Sequence, residues 1–333
     1  MIHPWNEGSW QSVLAGVDRL PHALLISGPE GVGKLALARH LARRILCETA
    51  EGREDACGRC EGCHWYDTGA HPDFRLIQPE ALDAAAAGEA EGPEESERPA
   101  GAKKAKPSSE IRIEQIRNLA DFLNIGSHRA RRRIAIVHPA ESLNANAANS
   151  LLKSLEEPPA GALFVLVCHQ PARLLPTVRS RCVSLEVSAP DPALAAKWLA
   201  EQGLARPEAL LRFNSGAPLR AAETSGVAVA ESVATFLKTW QDRPLAALGL
   251  LKEKEELALL VEGLQKYAYD QAFRGAGMPA RFLSYRGDAR PDAGSALRWA
   301  RIARELGRIR RRLDHPLNQS LQLHRIMQLF HVE

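Results

Sequence analysis

Short apolar runs alternate with amphipathic helical patterns through the first 190 residues. Five runs have the length and composition of buried strands: residues 23–27, 74–77, 134–138, 163–168 and 183–187. Between them, apolar residues recur at spacings of three and four, as they do along one face of a helix, in residues 37–45, 116–123 and 143–155. This alternation predicts an α/β fold in which helices cover both faces of a parallel sheet.

Beyond residue 190 the strand pattern stops and only helical patterns remain. Short ones, interrupted at Gly203 and Ser215-Gly216, run to about residue 229. Longer amphipathic ones follow at 255–269 and 296–313, as a helical bundle requires. The sequence therefore predicts three parts, residues 1–188, 189–229 and 230–333.

Composition agrees with this division. The chain has 333 residues of which 45% are hydrophobic, enough to build a core in each of two or three domains. It lacks an apolar run long enough to span a membrane, and residues 1–10 do not resemble a secretory signal, so a cytoplasmic location is predicted. Residues 81–109 contain acids, lysines and almost no large apolar side chain, which predicts a disordered insert.

The net charge of the chain and its distribution bear on which partners it can bind. A net charge of +3 disfavours a stand-alone nucleic-acid-binding protein. Arginine is nevertheless concentrated in two clusters: Arg129, Arg131, Arg132 and Arg133, and Arg308, Arg310, Arg311 and Arg312. Each cluster can face phosphate, an acidic partner or simply solvent along a helix.

The cysteines indicate a metal site. Cys57, Cys60 and Cys63 follow a C-x-x-C-x-x-C spacing, and Cys47 lies at the end of an earlier predicted helix. Four thiolates complete a closed tetrahedral site for structural Zn²⁺, and a cytosolic chain favours metal over disulfides. An iron–sulfur cluster, a redox pair and a ligand role for His64 remain alternatives.

A glycine loop between the first strand and the next helix has the outline of a phosphate-binding loop. Gly28, Gly33 and Lys34 have the required spacing, and Gly31 between them is a further candidate residue, although a plain glycine turn is an equal alternative for the loop alone. The hydroxyl that should follow the lysine to bind Mg²⁺ is replaced by Leu35. The sequence leaves open whether ATP binds here.

The acidic residues expected at the end of a second strand are also absent. His138 and Pro139 occupy those positions after the strand at 134–138, and Glu141 comes too late in the chain to lie at the strand end. Two independent parts of the magnesium site are therefore missing, which argues against ATP hydrolysis by this chain alone.

Two further motifs carry a family resemblance. The run Asn149-Ser-Leu-Leu-Lys-Ser-Leu-Glu-Glu-Pro-Pro159 and the run Pro176-Thr-Val-Arg-Ser-Arg-Cys182 resemble those of AAA+ clamp loaders. Together with the four cysteines, residues 69–73 and the degenerate loop, they resemble the clamp-loader subunits of bacterial DNA polymerase III. The likeness is specific over residues 1–190 and weaker beyond.

The resemblance implies an architecture and a set of partners. Residues 1–188 would be a RecA-like AAA+ domain with a zinc module at 47–63 and the insert at 81–109. Residues 189–229 would form a three-helix lid, in which Arg220 is a candidate nucleotide contact, and residues 230–333 a helical collar. The collar would join gamma/tau-type ATPase subunits and a delta subunit in a five-membered ring that loads a sliding clamp onto primed DNA.

The resemblance also assigns Arg181, in Ser180-Arg181-Cys182, as an arginine finger that reaches the nucleotide site of the neighbouring subunit. A guanidinium suits this role because it stays charged and binds phosphate oxygens bidentately. The chain would then be a non-hydrolysing scaffold within a DNA-directed DNA polymerase, a nucleotidyltransferase. The alternative is that it is itself the ATP-hydrolysing motor subunit.

Overall fold

The computed structural model describes residues 2–88, 107–125, 132–223, 254–283, 294–310 and 319–331. The chain forms two compact units, Met1–Ala189 and Pro190–Glu333. None of the helices in the described ranges is both long and apolar enough to cross a membrane.

The first unit is built on five parallel strands in the order β2-β3-β4-β1-β5. Their bounds are β1 Ala23–Ser27, β2 Phe74–Ile77, β3 Arg133–Val137, β4 Ala162–Cys168 and β5 Val183–Glu186. In the register of the sheet, Leu25 of β1 aligns with Leu166 of β4 and with Ser184 of β5. Each strand begins and ends within one residue of its predicted position, and the predicted α/β class with a parallel sheet is confirmed.

Helices pack on both faces of this sheet. In the first unit they are α1 (Glu7–Leu14), α2 (Lys34–Leu46), α3 (Glu61–Asp67), α4 (Glu80–Gly88), α5 (Ile113–Asn124), α6 (Ala145–Glu156) and α7 (Pro176–Arg179). Alternate residues of β1 enter opposite cores: Leu24 and Ile26 pack with α1 and α2, whereas Ala23 and Leu25 pack with α5 and α6. All seven residues of β4 are buried, because this strand lies at the centre of the sheet.

The prediction of a disordered insert at 81–109 is wrong at both of its ends. Residues 81–88 belong to α4, which the alanine-rich run favours. The other end is tied to this helix: the N–H of Ala81 donates to the carbonyl of Ser108, and the N–H of Ser108 donates to Glu80. Residues 89–106 lie outside the described part of the chain.

In the second unit every described secondary-structure element is a helix. The helices are α8 (Pro192–Glu201), α9 (Pro207–Phe213), α10 (Pro218–Ala222), α11 (Lys254–Gly275), α12 (Ser295–Arg310) and α13 (Gln319–His331). One core joins α8, α9 and α10, and another joins α11, α12 and α13. The predicted helix at 255–269 lies within α11, and the one at 296–313 is confirmed to residue 310, where the described range ends.

A buried ion pair fixes the beginnings of two neighbouring strands. Asp73, just before β2, is fully buried, and its Oδ1 lies 3.3 Å from Nε of Arg133, the first residue of β3. The Arg133 guanidinium also donates to the carbonyl of Phe122 and lies 4.7 Å from the centre of that ring. Arg133 is therefore a core residue, and its place in a basic surface cluster was predicted wrongly.

We expect Asp73→Ala to lower the free energy of unfolding by about 3–5 kcal/mol, because it leaves a buried guanidinium without its counter-charge. Urea denaturation measures this. Glu80→Ala is the control: it removes an exposed partner of Arg112 at 3.4 Å and an acceptor for the exposed N–H of Ser108, and it should cost only about 1 kcal/mol. Equal losses in the two variants would contradict the prediction.

Candidate functional site

The four cysteines meet in one cluster. Cys47 follows the last residue of α2, Cys57 and Cys60 lie in the next loop, and Cys63 is in the first turn of α3. The four sulfur atoms all lie within 4.8 Å of one another, and none is in a disulfide. A tetrahedral ion with metal–sulfur bonds of about 2.3 Å needs sulfur–sulfur distances of about 3.8 Å. The cluster can hold a metal ion with only a small contraction.

Backbone N–H groups already point at these sulfurs. The N–H of Cys57 donates to Sγ of Cys47 at 3.3 Å, that of Cys60 to Cys57 at 3.3 Å, and that of Cys63 to Cys60 at 3.4 Å. Such donors stabilise a thiolate, the form that binds metal. Hydrogen bonds from Thr49 and from the N–H of Arg59 lower the pKa of Cys57 to about 5, whereas burial raises the pKa of Cys63 to about 12. His64 is exposed and is not in the cluster.

The glycine loop connects β1 to α2 and contains Gly28, Gly31 and Gly33. A side chain fits at neither Gly28 nor Gly33. Gly28 has φ +148°, and a Cβ there would lie 1.9 Å from the carbonyl oxygen of Val187. Gly33 has φ +87°, and a Cβ there would lie 2.7 Å from the His3 ring and 2.8 Å from Nδ2 of Asn6. The tight turn that the spacing predicts is therefore present.

The loop lysine is directed back into its own loop. Lys34, the first residue of α2, is only 2% exposed, and its Nζ donates to the carbonyl of Gly28 at 2.8 Å and to that of Pro29. Burial lowers the pKa of Lys34 from its ordinary 10.5 to about 8, although Glu141 and Glu30 act in the opposite direction. The ammonium is thus held by backbone carbonyls. Leu35, at the position of the missing hydroxyl, packs against the core.

Two histidines meet beside the loop, at the carboxyl ends of β3 and β4. Nε2 of His138 lies 3.2 Å from Nε2 of His169, and Nδ1 of His138 lies 2.9 Å from Nε2 of Gln78. Burial, His169 and Lys34 lower the pKa of His138 to about 4, and burial together with Lys34 lowers the pKa of His169. Both imidazoles are therefore neutral at pH 7.

Sequence reasoning missed His169, although it follows the buried strand β4 directly, just as His138 follows β3. It also missed the contacts of Glu141. That carboxylate accepts hydrogen bonds from the N–H groups of His169, at 3.0 and 3.1 Å, and of Gln170, at 3.1 Å. The carboxylate that acts most strongly to raise the pKa of Lys34 is thus engaged by the end of β4.

Arg181 lies just after α7 with 35% of its side chain exposed. Its Nη2 lies 2.5 Å from Oε1 of Glu156, and its Nη1 donates to the carbonyl of Thr177 at 2.9 Å. The site residues predicted from the sequence thus fall into three places in the first unit: the cysteine cluster, the glycine loop and this arginine.

Arg220 on α10 binds within the second unit. Its Nη2 donates to both carboxylate oxygens of Glu262, at 3.1 and 3.2 Å. The same carboxylate lies 2.7 Å from Nζ of Lys266 and 2.9 Å from Nη2 of Arg310. Although burial alone would raise it, these three cations lower the pKa of Glu262.

The other described members of the arginine clusters also have protein partners. Arg132 donates to the carbonyl of Leu20 at 3.0 Å, and Arg308 lies 2.5 Å from Glu305. Arg129, Arg131, Arg311 and Arg312 lie outside the described residues. Arg132 and Arg308 therefore both have partners within the chain itself.

Similarity to known proteins agrees with the motifs. The family model described as "DNA polymerase III, delta subunit" matches residues 10–191. The DNA polymerase III subunit delta′ (delta-prime) of Pseudomonas aeruginosa is 38% identical over 71% of this chain and 65% of its own length. The delta′ subunit of Escherichia coli K12 is 31% identical over 65% of this chain and 58% of its own length.

A second type of relative matches a shorter part of this chain. The DNA polymerase III subunit tau of Salmonella typhimurium is 32% identical over 53% of this chain and 23% of its own length. The chain thus spans less than two thirds of the length of each of these relatives. Because the family model matches more than half of the residues, the chain belongs to the DNA polymerase III delta-subunit family.

Proposed function

We propose that this chain is the delta-prime-type subunit of a bacterial DNA polymerase III clamp loader and acts in DNA replication in the cytoplasm. It does not hydrolyse ATP. It helps to load the sliding clamp onto primed DNA and supplies Arg181 to the nucleotide site of a neighbouring subunit. One observation carries the proposal: Leu35 and His138 stand where a nucleotide-hydrolysing loop needs oxygen ligands for magnesium, whereas Arg181 is held partly exposed.

The chemistry beside the loop supports the absence of hydrolysis. Mg²⁺ takes oxygen ligands, and a nucleotide-hydrolysing loop supplies them from a hydroxyl after the lysine and from a carboxylate at a strand end. Here Leu35 is half-buried and packs against the core, and His138 is a half-buried imidazole whose pKa of about 4 keeps it neutral at pH 7. Glu141 already accepts backbone hydrogen bonds from His169 and Gln170. These contacts argue against the alternative, a motor subunit that hydrolyses ATP.

Arg181 supports a role in trans. Its guanidinium is partly exposed and can bind two phosphate oxygens. An arginine finger of this kind is worth about 10³–10⁵ in rate where it completes a nucleotide site. The nucleotidyltransferase activity of a DNA-directed DNA polymerase belongs to the holoenzyme. This chain is a subunit of that holoenzyme and has no active site of its own.

The architecture that we propose follows the predicted divisions. Residues 1–188 form the AAA+ domain, residues 189–229 the lid and residues 230–333 the collar that joins gamma/tau-type subunits and a delta subunit in a five-membered ring. The relatives named as delta′ and tau subunits support these partners. The boundary between lid and collar lies outside the described residues.

We further propose that the metal at Cys47, Cys57, Cys60 and Cys63 is a structural Zn²⁺. Four thiolates saturate the ion and leave no position for a reacting molecule. The ion would join the end of α2 to the start of α3, a region whose own small core contains little besides these cysteines and two alanines.

Metal analysis of the purified protein should return one zinc per chain. Cys60→Ser should lose most of it, because the variant keeps only three thiolates. Cys182→Ser is the matched control, since Cys182 lies outside the cluster and should leave the zinc content unchanged. A protein without zinc, or a Cys60→Ser variant with a full equivalent, would exclude the proposed site.

Lys34→Met should change how stability depends on pH. The pKa of Lys34 is about 8 in the folded chain and 10.5 ordinarily, so the unfolded chain binds more protons between these values. The unchanged protein therefore gains stability relative to the variant as pH rises from 8 to 10.5, by up to about 3 kcal/mol. Urea denaturation at several pH values measures the difference. Lys153→Met, on an exposed part of α6, is the control, and parallel pH curves for Lys34→Met and the unchanged protein would refute the expectation.

A reconstituted complex tests the proposed function itself. The isolated chain should show no ATPase activity. In the complex, Arg181→Ala should slow ATP-dependent clamp loading by at least about tenfold while leaving the zinc content and ring assembly intact. Lysine at this position should restore little, because an ammonium lacks the planar fork. Turnover by the isolated chain that disappears in Lys34→Ala, or an Arg181→Ala complex of full activity, would contradict the proposal.

A further inference from the structure

The contact between Arg181 and Glu156 joins two residues that are 25 positions apart in the chain, one in each of the two family motifs. Glu156 is the last residue of α6, and Arg181 follows α7. Nη2 of Arg181 lies 2.5 Å from Oε1 of Glu156, while Nη1 binds the carbonyl of Thr177 at 2.9 Å. A carboxylate and a carbonyl thus hold the two terminal nitrogens of one guanidinium.

Both ends of this contact stand on rigid backbone. Leu155, beside Glu156, is 2% exposed, and Val178, three residues before Arg181, is fully buried. These two side chains belong to the same core, on the α5 and α6 face of the sheet. Side chains that project from packed elements hold a geometry more accurately than side chains on free loops.

An arginine with no contacts would occupy many rotamers and would lose that freedom when it entered a nucleotide site. A side chain of this length costs about 0.5–1.5 kcal/mol to immobilise at an interface. The contacts with Glu156 and with the carbonyl of Thr177 restrict the Arg181 side chain before the neighbouring subunit binds. The contact is half-exposed, with 49% of the Glu156 side chain open to solvent, so its effect on overall stability is small.

We propose that Glu156 is a positioning residue that orients Arg181 for the neighbouring subunit's nucleotide. The inference rests on the proposed function of Arg181 and assigns to Glu156 no contact with nucleotide. It predicts that loss of the carboxylate lowers the turnover of the neighbouring site through Arg181 and through no other route.

Glu157 provides a matched control next to Glu156 in the chain. It follows α6, and its backbone N–H donates to the carbonyl of Lys153. Its side chain is exposed, and it has the same charge and length as that of Glu156. If negative charge at the end of α6 affected turnover in general, removal of Glu157 would lower turnover as much as removal of Glu156.

The experiment measures ATP turnover by the clamp-loader complex, reconstituted with the ATPase and delta-type subunits of the same organism. Glu156→Ala should lower kcat by about two- to fivefold, the range that an exposed ion pair supports, with little change in KM for ATP. Glu156→Gln should lose less, because it keeps an acceptor oxygen. Glu157→Ala should match the unchanged complex, and thermal melting of each variant chain should show that the fold is retained.

A double-mutant cycle separates the inference from the function on which it rests. In an Arg181→Ala background, Glu156→Ala should have no further effect. Unchanged turnover in Glu156→Ala, a faster rate, an equal loss in Glu157→Ala or an equal loss in the Arg181→Ala background would each overturn the role of Glu156 and leave Arg181 as proposed. Full turnover in Arg181→Ala alone would overturn the proposed function and the inference with it.

Discussion

The parallel alignment of β1, β3 and β4 determines where the chemistry of the first unit lies. Parallel strands place all of their carboxyl ends at one edge of the sheet, and the residues that follow three adjacent strands must meet there. Gly28 follows β1, His138 follows β3 and His169 follows β4. The contact between the two imidazoles depends on this alignment of β3 with β4.

Desolvation acts on this edge in one direction. It lowers the pKa of Lys34 and of both histidines, so the two imidazoles are neutral at pH 7 while Lys34, with a pKa of about 8, remains mostly an ammonium. An edge that binds and cleaves nucleotide gathers oxygen ligands and a metal ion. Here the same positions are occupied by ring nitrogens that bind each other and by a carboxylate that binds backbone.

Local pattern was sufficient to predict the strands and most of the helices. Runs such as residues 163–168 are apolar throughout, and burial on both sides of a parallel sheet requires this. The cysteine cluster was predictable for a similar reason, because its spacing is local. The α4 helix was missed because its alanines bury little surface, so composition favoured disorder although helix propensity did not.

Pairings between residues far apart in the chain could not be predicted from the sequence. The pairings of Arg133 with Asp73, Glu156 with Arg181 and Arg220 with Glu262 each join residues far apart in the chain. An arginine in a basic run has the same local pattern whether its partner is solvent, phosphate or a buried acid. Only the packing of the strands and helices decides which of these partners it meets.

The helix α2 joins the glycine loop at one end to the cysteine cluster at the other. Its 13 residues span about 20 Å, and its apolar face, which includes Leu37 and Leu41, is buried against the sheet. Because one packed helix carries both features, the same core contacts set the position of the loop and of the cysteine cluster. A core substitution beneath α2 is therefore expected to disturb the two together, although they lie at opposite ends of the helix.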